Sequence, residues 1–473
     1  MKENRTSKLI KNSIILAFGQ FLPKIMALIT LPILTATLST EQYGIYDLLL
    51  SAEGILMPLM TLQLQQGVFR KLIQQENDRS RIIASAYKML LVVYALWLPV
   101  IFSLLRFVVK WSDETAALIS IFYVVYSSFD VLSQTVRGLG ENVKYSIGIV
   151  LYSLINTIAL VLCFYFYTIT IQTIIALSLV SYVIASAFYF ASCRFARIVD
   201  FRVFDSSALK NILSYSIPII PGTISLWIVN LSDRLLVSFF LGTGMNGIYA
   251  VANKIPGLFA SVYSVFNLAW TDTASRVMDL DNDSDEYYSK MFDAMYRMLT
   301  GVMLLLISFS PVLFSILIGE SYYSATSQMP ILFLGVFFNC IVSFYGGIYI
   351  AKQITKQVGI SSFVGAVLNF VINLALINKI GLFAASISTL VSYFAIAAYR
   401  AIDLKKCVRI IYNKKSILIC SAFLSLFALC SSLNAMWMNV FLLAIAIVFN
   451  LVVNKKIISF LAEATLSKLV KTR

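Results

Sequence analysis

Long apolar runs alternate with short polar connections along the entire chain. The apolar runs fall at about 12–38, 45–68, 84–108, 116–137, 145–167, 171–193, 211–241, 247–270, 292–318, 326–350, 357–378, 381–401, 415–432 and 435–453. Most of them approach or exceed the ~20 residues that an α-helix needs to cross a bilayer, and no connection is long enough for a soluble domain. The pattern therefore predicts an all-α polytopic membrane protein with about fourteen transmembrane helices.

The junction between the first and second apolar runs resembles the junction between the seventh and eighth. LSTEQYGIY at 38–46 aligns with LGTGMNGIY at 241–249, which lies 203 residues later in the chain. A second pair of similar motifs, or echo, lies further along both halves in the same order. IGI at 147–149 aligns with VGI at 358–360. An insertion of about eight residues between the two echoes reconciles their spacings. We interpret these echoes as an internal repeat.

The repeat predicts how the chain is divided. The first half, 1–200, and the second half, 201–410, would each form a bundle of six helices. Internal repeats are common in secondary transporters, whose binding sites lie at the interface between the repeats. The remainder, 411–473, would add two accessory helices and a basic tail. The accessory pair either packs against one half or forms a simple lipid-facing anchor.

Composition agrees with a membrane protein and excludes several other classes. Apolar residues make up 59% of the 473 and charged residues 13%, whereas soluble domains are about 45–50% apolar and ~25% charged. The chain contains no histidine and no CxxC spacing, so we expect neither a zinc–histidine site nor a disulfide framework. It also lacks a GxxxxGK nucleotide-binding loop, so we do not expect direct use of ATP.

The basic residues are distributed in a way that predicts orientation. When the runs alternate across a membrane, all lysines and arginines lie on the side of the N-terminus except Lys24, Arg106, Lys110, Arg234, Lys254 and Lys379. Positive residues favour the cytoplasmic side, so we expect both termini in the cytoplasm. The formal net charge of +14 is then an orientation signal and an affinity for anionic membrane lipid. It does not indicate a nucleic-acid partner.

The seventh apolar run differs from a plain membrane anchor. Pro218, Pro221 and Gly222 interrupt it near its first third, and Asp233 and Arg234 lie inside it. Broken helices and charges are costly in lipid, so they usually face protein or a water-filled space. We interpret the two prolines and the glycine as a hinge. The alternative is a proline kink with one internal ion pair that only aids packing.

Three cations lie within apolar runs, namely Lys24, Arg234 and Lys254. A guanidinium group offers a fixed fork of donors that suits phosphate oxygens, and the two ammonium groups are point charges of the same sign. We therefore predict that these residues bind an anionic cargo. In the alternative interpretation, Lys254 extends to the membrane surface.

Three carboxylates in apolar runs are candidates for ion coupling or charge balance, namely Glu53, Asp130 and Asp233. The expected coupling ion is H⁺ or Na⁺, and no other cofactor and no metal site is expected. The alternative is that the carboxylates serve only as partners for the cations, with Glu53 pairing with Lys24 and Asp233 pairing with Arg234.

Several stretches resemble one known family. They are GIYDL at 44–48, VRGLGENVKYSI at 136–147 and SYSIPIIPGTISLWIVNLSDRLLVSFFLG at 214–242, which is followed by GIYAVANKI. They resemble the Wzx-type polysaccharide repeat-unit flippases of the multidrug/oligosaccharidyl-lipid/polysaccharide (MOP) exporter superfamily. Arg234 and Lys254 map to intramembrane cationic positions of that family, whereas Lys24 has no assigned counterpart.

The resemblance implies a fold and a function. The fold would be two six-helix bundles around a central cavity. The function would be to move an undecaprenyl-pyrophosphate-linked oligosaccharide from the inner to the outer leaflet of the bacterial cytoplasmic membrane, for surface polysaccharides such as O-antigen or capsule. Membrane lipids, a polysaccharide polymerase and chain-length proteins are the partners that this role implies.

Three alternative functions remain open at this point. A multidrug or cation antiporter and a peptidoglycan-precursor flippase would share the fold. A membrane glycan polymerase or glycosyltransferase would be an enzyme, but such enzymes usually need a substantial domain outside the membrane. We therefore expect a transporter and not an enzyme.

Overall fold

The computed structural model describes residues 2–74, 79–280, 284–433, 435–455 and 459, and the regular secondary structure of this part is entirely helical. The helices up to the seventh apolar run are α1 (Lys2–Thr37), α2 (Thr40–Thr61), α3 (Leu64–Gln74), α4 (Arg79–Ser103), α5 (Asp113–Gly138), α6 (Asn142–Phe166), α7 (Ile171–Ser192), α8 (Phe195–Ile198) and α9 (Ser206–Ser216). They are followed by α10 (Ile220–Leu241), α11 (Thr243–Ala252), α12 (Lys254–Leu280), α13 (Ser284–Leu317), α14 (Met329–Ala351), α15 (Thr355–Ile380), α16 (Phe383–Asp403), α17 (Lys414–Ser431) and α18 (Met436–Val453).

Many of these helices can span a membrane. Within the described residues, eleven are long and apolar enough to cross a bilayer, or twelve if the bent pair of α2 and α3 is one span. The prediction of an all-α polytopic membrane protein is therefore confirmed. Every apolar run predicted from the sequence lies on helical structure, and the full number of fourteen spans stays a prediction.

The second apolar run is bent, which the sequence analysis did not predict. The chain turns by 56° between α2 and α3, where Leu62 and Gln63 have φ angles of 49° and 55°. The Gln63 backbone N–H donates to the Thr61 hydroxyl at 3.2 Å, so a side chain replaces the lost helical acceptor. No glycine marks this left-handed turn, and the apolar pattern continues across it.

The eighth apolar run is also broken. Helix α11 ends at Ala252 and α12 begins at Lys254. Between them the Asn253 side-chain amide donates to the Tyr249 carbonyl at 2.9 Å. Asparagine side chains compete with the backbone for such carbonyls, which favours a break. Lys254 therefore occupies the first position of a helix and not the middle of one.

The repeat appears in the helix boundaries. Helix α2 begins at Thr40 and α11 begins at Thr243, which reproduces the spacing of 203 residues. Gly44 and Gly247 are each the fifth residue of their helix, and both are buried. The same local turn is therefore built twice in the chain.

Packing divides the chain into two compact units, Met1–Ser232 and Asp233–Arg473. The division falls inside α10, because α9 packs against α3 and α4 in the first unit. The internal repeat would instead assign α9 to the second half. Packing and repeat thus divide the chain at different places, and the seventh run belongs partly to each unit.

In the first unit, the linker that follows α8 is tied to the first turns of α4. The backbone N–H of Asp200 donates to the Ser80 hydroxyl at 2.9 Å. The backbone N–H of Asp205 donates to the Ser85 hydroxyl at 2.9 Å. These bonds satisfy backbone donors of a segment that has no regular secondary structure.

The second unit ties the linker that follows α16 in the same manner. The backbone N–H of Arg409 donates to the Asp285 carboxylate at 3.1 Å, and that of Ile411 donates to the Ser289 hydroxyl at 2.8 Å. Both acceptors lie in the first turns of α13. The two units are thus alike in this respect. In each, the linker after the sixth long helix (α7 or α16) is hydrogen-bonded to the start of the helix that follows the broken second run (α4 or α13).

The two C-terminal helices pack against the second unit. On α18, Asn450 donates to the Gly301 carbonyl of α13 at 3.0 Å. On α17, the Ser421 hydroxyl is hydrogen-bonded to the Tyr296 hydroxyl of α13 at 2.8 Å. These contacts support the accessory pair rather than the simple lipid-facing anchor. Beyond Lys455 the predicted basic tail lies outside the described residues, apart from Ser459.

The paired glycines of the second echo allow a test of packing. An added Cβ at Gly148 would overlap the ring of Tyr189, whereas an added Cβ at Gly359 has no neighbour within 4 Å. Tyr189 cannot move away easily, because its hydroxyl donates to the Tyr145 carbonyl at 2.7 Å. We expect Gly148→Ala to cost about 1–3 kcal/mol of stability. Thermal unfolding in detergent would measure this loss.

Gly359→Ala is the matched control, because it is also a glycine-to-alanine change inside a helix. Alanine is favoured over glycine in helices by roughly 1 kcal/mol, so this variant should melt at or above the wild-type temperature. Equal melting temperatures for Gly148→Ala and the wild type would contradict the packing described for α6 and α7.

Candidate functional site

The Asp233 carboxylate lies in a layer of neutral polar side chains in the second unit. One of its oxygens accepts from the Asn373 amide at 2.8 Å, and the other accepts from the Thr389 hydroxyl at 3.1 Å. Asp233 is only 8% exposed. Since Asn373 lies on α15 and Thr389 on α16, the carboxylate joins three helices of that unit.

Oxygen atoms are abundant around this carboxylate. The Asn369 amide donates to the Thr389 hydroxyl at 3.2 Å. The side-chain oxygens of Asn369 and Asn373 are buried and accept no hydrogen bond within the described residues. Buried polar atoms without a partner are rare and need an explanation. A carboxylate beside amide oxygens is a set of hard ligands that suits a small cation such as Na⁺.

Arg234 and Lys254 are half-buried in the same unit. Arg234 follows Asp233 on α10 and lies close enough to attract its carboxylate. Lys254 begins α12, directly after the break at Asn253. The hydrogen bonds of Asp233 given above come from neutral donors, so the carboxylate does not depend on Arg234 alone.

Lys24 lies on α1 in the first unit and is exposed. It precedes Leu31 by seven residues and Thr35 by eleven, so all three side chains share one face of the helix. Leu31 and Thr35 are buried. Lys24 forms no ion pair within the part of the chain that the structure describes. The alternative pairing of Lys24 with Glu53 is therefore absent.

Glu53 lies in a small cavity of the first unit. The cavity has a volume of about 70 Å³ and is also lined by Tyr46, Tyr152 and Tyr182. The Tyr126 hydroxyl is within hydrogen-bond reach of the Glu53 carboxyl group. At ~30 Å³ for each water molecule, the cavity holds about two waters or a dehydrated ion, and it is too small for a sugar.

Asp130 belongs to the same polar region of the first unit. It follows Tyr126 by four residues on α5, so both side chains lie on one helix face. Arg137, about two turns further along α5, lies over the ring of Phe69 at 4.6 Å from the ring centre. Within the described residues no ion pair joins Asp130 to Arg137.

The sequence analysis did not identify the uncharged residues around the candidate carboxylates. Asn369, Asn373 and Thr389 surround Asp233. The four-residue spacing of the two asparagines inside an apolar run is the sequence pattern that could have indicated them. Arg400, which lies on the predicted cytoplasmic side, is buried with 2% exposure, and the sequence analysis did not predict this burial. Its guanidinium donates to the Val342 carbonyl at 2.8 Å, among other acceptors.

Comparison with known proteins identifies the family. A family model described as "polysaccharide biosynthesis protein" matches residues 9–278, which is more than half of the chain. The chain belongs to this family. A relative in Methanocaldococcus jannaschii, the uncharacterized membrane protein MJ1068, is 25% identical over 232 residues, which cover 46% of this chain and 44% of that protein.

Solved structures share the fold of this polysaccharide biosynthesis protein. The lipid II flippase MurJ in an inward closed conformation matches with a TM-score of 0.71 over 94% of this chain and 100% of the MurJ chain. An inward-facing multidrug resistance MATE family transporter of the MOP superfamily matches with a TM-score of 0.65, over 87% of this chain and 95% of the transporter. Both are 15% identical to it in sequence. The protein therefore has the fold of MOP transporters.

The hydrogen bond from Asn373 allows a test of the Asp233 site. We expect Asn373→Ala to destabilise the protein by about 1–3 kcal/mol, because the buried carboxylate loses a donor. Asn378→Ala is the matched control, since Asn378 is exposed on the same helix. Thermal unfolding of both variants in detergent would measure the difference. If the two variants melt alike, the carboxylate does not depend on this bond.

Proposed function

We propose that the protein flips an undecaprenyl-pyrophosphate-linked oligosaccharide repeat unit from the cytoplasmic to the outer leaflet of the bacterial inner membrane. The observation that carries this proposal is the family match over residues 9–278, whose description is polysaccharide biosynthesis. The fold, which is shared with a flippase and a transporter, supports a contribution to biosynthesis by movement across the membrane rather than by synthesis. Both termini would then lie in the cytoplasm.

In this proposal Lys24, Arg234 and Lys254 bind the pyrophosphate of the cargo. Each lies in an apolar run, where a charged side chain costs several kcal/mol or more depending on the method of measurement. An anionic head group would offset that cost while it is bound. The lipid tail would stay in the bilayer throughout.

Asp233 would carry the coupling ion, H⁺ or Na⁺. The amide oxygens of Asn369 and Asn373 support this role, because no donor among the described residues uses them and they can act as ligands. Glu53 and Asp130 would form a second exchangeable site in the first unit. The small volume of the Glu53 cavity favours an ion over a sugar.

Alternating access requires a flexible position, and we assign it to Pro218, Pro221 and Gly222. The helical hydrogen-bonding pattern changes here to a 3-10 turn at Ile217–Ile219 between α9 and α10. Proline removes a backbone donor, so this turn is the weakest part of the run. An added Cβ at Gly222 would meet no atom within 4 Å.

The structural likeness also supports a second candidate. MurJ is a lipid II flippase, so a peptidoglycan-precursor cargo is consistent with the fold. A multidrug or cation antiporter is consistent with the likeness to the MATE transporter. Transport assays with a lipid-linked repeat unit, lipid II and a cationic drug in parallel would distinguish the three. A polymerase and chain-length proteins are partners only of the first.

Variants of Arg234 can distinguish binding of the cargo phosphate from simple pairing with Asp233. If Arg234 binds phosphate, Asp233→Asn combined with Arg234→Gln should abolish flipping of a lipid-linked oligosaccharide in proteoliposomes, although the protein still inserts. Arg234→Lys should keep partial activity, because it retains the charge and loses the fork. Normal flipping by the double variant would instead mean that Arg234 only neutralises Asp233.

A gradient experiment tests coupling. We expect a Na⁺ or H⁺ gradient to accelerate flipping by the wild type, and Asp233→Asn to lose this response because the ion has lost its charged ligand. Slow downhill movement of cargo should remain in the variant. A wild type that flips cargo and is indifferent to both gradients would refute coupling and leave the cargo assignment intact.

A further inference from the structure

One face of α9 is exposed along its whole length. Ser206, Lys210 and Ser214 follow one another at intervals of four residues and are exposed, so they share that face. They line an open cavity of about 470 Å³. Binding pockets for small ligands have volumes of ~300–1,000 Å³, so the cavity is large enough for a head group.

The opposite face of α9 is held firmly. Ile212 and Ser216 are buried, and α9 packs against α3 and α4. The contact with α3 is close, since an added Cβ at Gly67 would overlap the Ser216 hydroxyl. At its start the Asp205 carboxylate accepts the backbone N–H of Ser207 at 2.8 Å. The exposed face is therefore presented by a fixed helix.

The cavity is lined by both polar and apolar side chains. Lys210, in the middle of α9, forms no ion pair within the described residues. Leu209 and Leu213 lie beside it along the helix, and Ile217 and Pro218 extend the apolar lining beyond the end of α9. A cation and hydroxyl groups beside apolar side chains match a molecule with an anionic head and an apolar tail.

We propose that this face of α9 is a loading site for the diphosphate and first isoprene units of the cargo, with Lys210 as the phosphate ligand. The proposal rests on the proposed function and deepens it, because Lys210 is not among the three cations within the membrane. In the predicted orientation, the start of α9 is at the cytoplasmic surface, where lipid-linked saccharides are assembled. Cargo would bind here before it reaches Lys24, Arg234 and Lys254.

Binding of farnesyl pyrophosphate to the full-length protein in detergent tests the assignment. Because a charge-assisted hydrogen bond is lost, Lys210→Gln should weaken its binding roughly three- to tenfold. Lys210→Arg should bind nearly as the wild type does. Lys405→Gln is the matched control, since Lys405 is exposed, lies on the same predicted side and is not among the residues that line the cavity. Equal affinity for Lys210→Gln and the wild type would overturn the proposal.

Two further ligands separate the parts of the recognition. Farnesol lacks the phosphates and should bind weakly to every variant. Inorganic pyrophosphate lacks the tail and should also bind weakly. If pyrophosphate alone binds as tightly as farnesyl pyrophosphate, the face is a general anion site and the loading proposal fails.

A steric pair tests the cavity independently of charge. Ser214→Trp should fill the cavity and raise the cargo concentration needed for half-maximal flipping at least threefold. Asn211→Trp is the control, because Asn211 is exposed on α9 and is not among the lining residues. Unchanged flipping kinetics in Ser214→Trp would contradict a loading role.

Failure of this inference can be distinguished from failure of the proposed function. If the wild type flips the lipid-linked saccharide and the Lys210 and Ser214 variants behave normally, only the loading site is wrong. If the wild type flips no such cargo, while farnesyl pyrophosphate binding still depends on Lys210, the loading site survives with another isoprenyl-linked cargo and the proposed cargo is wrong.

Discussion

The cost of burying charge in an apolar bundle governs this structure. Asp233 and Arg400 are both buried, and both are surrounded by neutral partners: Asn373 and Thr389 donate to the carboxylate, and carbonyls such as that of Val342 accept from the guanidinium. Hydrogen bonds to neutral groups can offset desolvation when every donor and acceptor is used. The Arg400 guanidinium is surrounded by acceptors. In the Asp233 layer, by contrast, the amide oxygens of Asn369 and Asn373 accept no hydrogen bond within the part of the chain that the structure describes.

The same constraint explains where helices break. Inside an apolar run a lost backbone hydrogen bond must be replaced. Thr61 supplies an acceptor at the turn after α2. At Asn253 the backbone N–H and the side-chain amide both donate to the Tyr249 carbonyl. The breaks are therefore polar points in apolar segments. The break at Asn253 places Lys254 at the start of a helix.

Much of the fold could be predicted from the sequence, because apolar length and the 203-residue echo are local signals. The turn at Leu62 could not, since nothing in the apolar pattern marks it and packing of α3 against α5 and α9 decides it. The charged residues of the site were visible as exceptions within apolar runs. Their neutral neighbours were not, because Asn373 and Thr389 reach Asp233 from helices more than a hundred residues away.

The internal repeat shows which side chains of the first unit occupy the positions equivalent to these charged residues. At the 203-residue spacing, Asp233 corresponds to Thr30 and Arg234 corresponds to Leu31, both buried in the first unit. Lys254 corresponds to the buried Ser51 in the same way. The first unit therefore has neutral side chains at these positions of the repeat, although Ser51 lies inside α2 and Lys254 begins α12. The three charges are therefore features of the second unit and not of the repeat, which is why our proposal assigns the coupling ion to Asp233 and part of the cargo binding to Arg234 and Lys254.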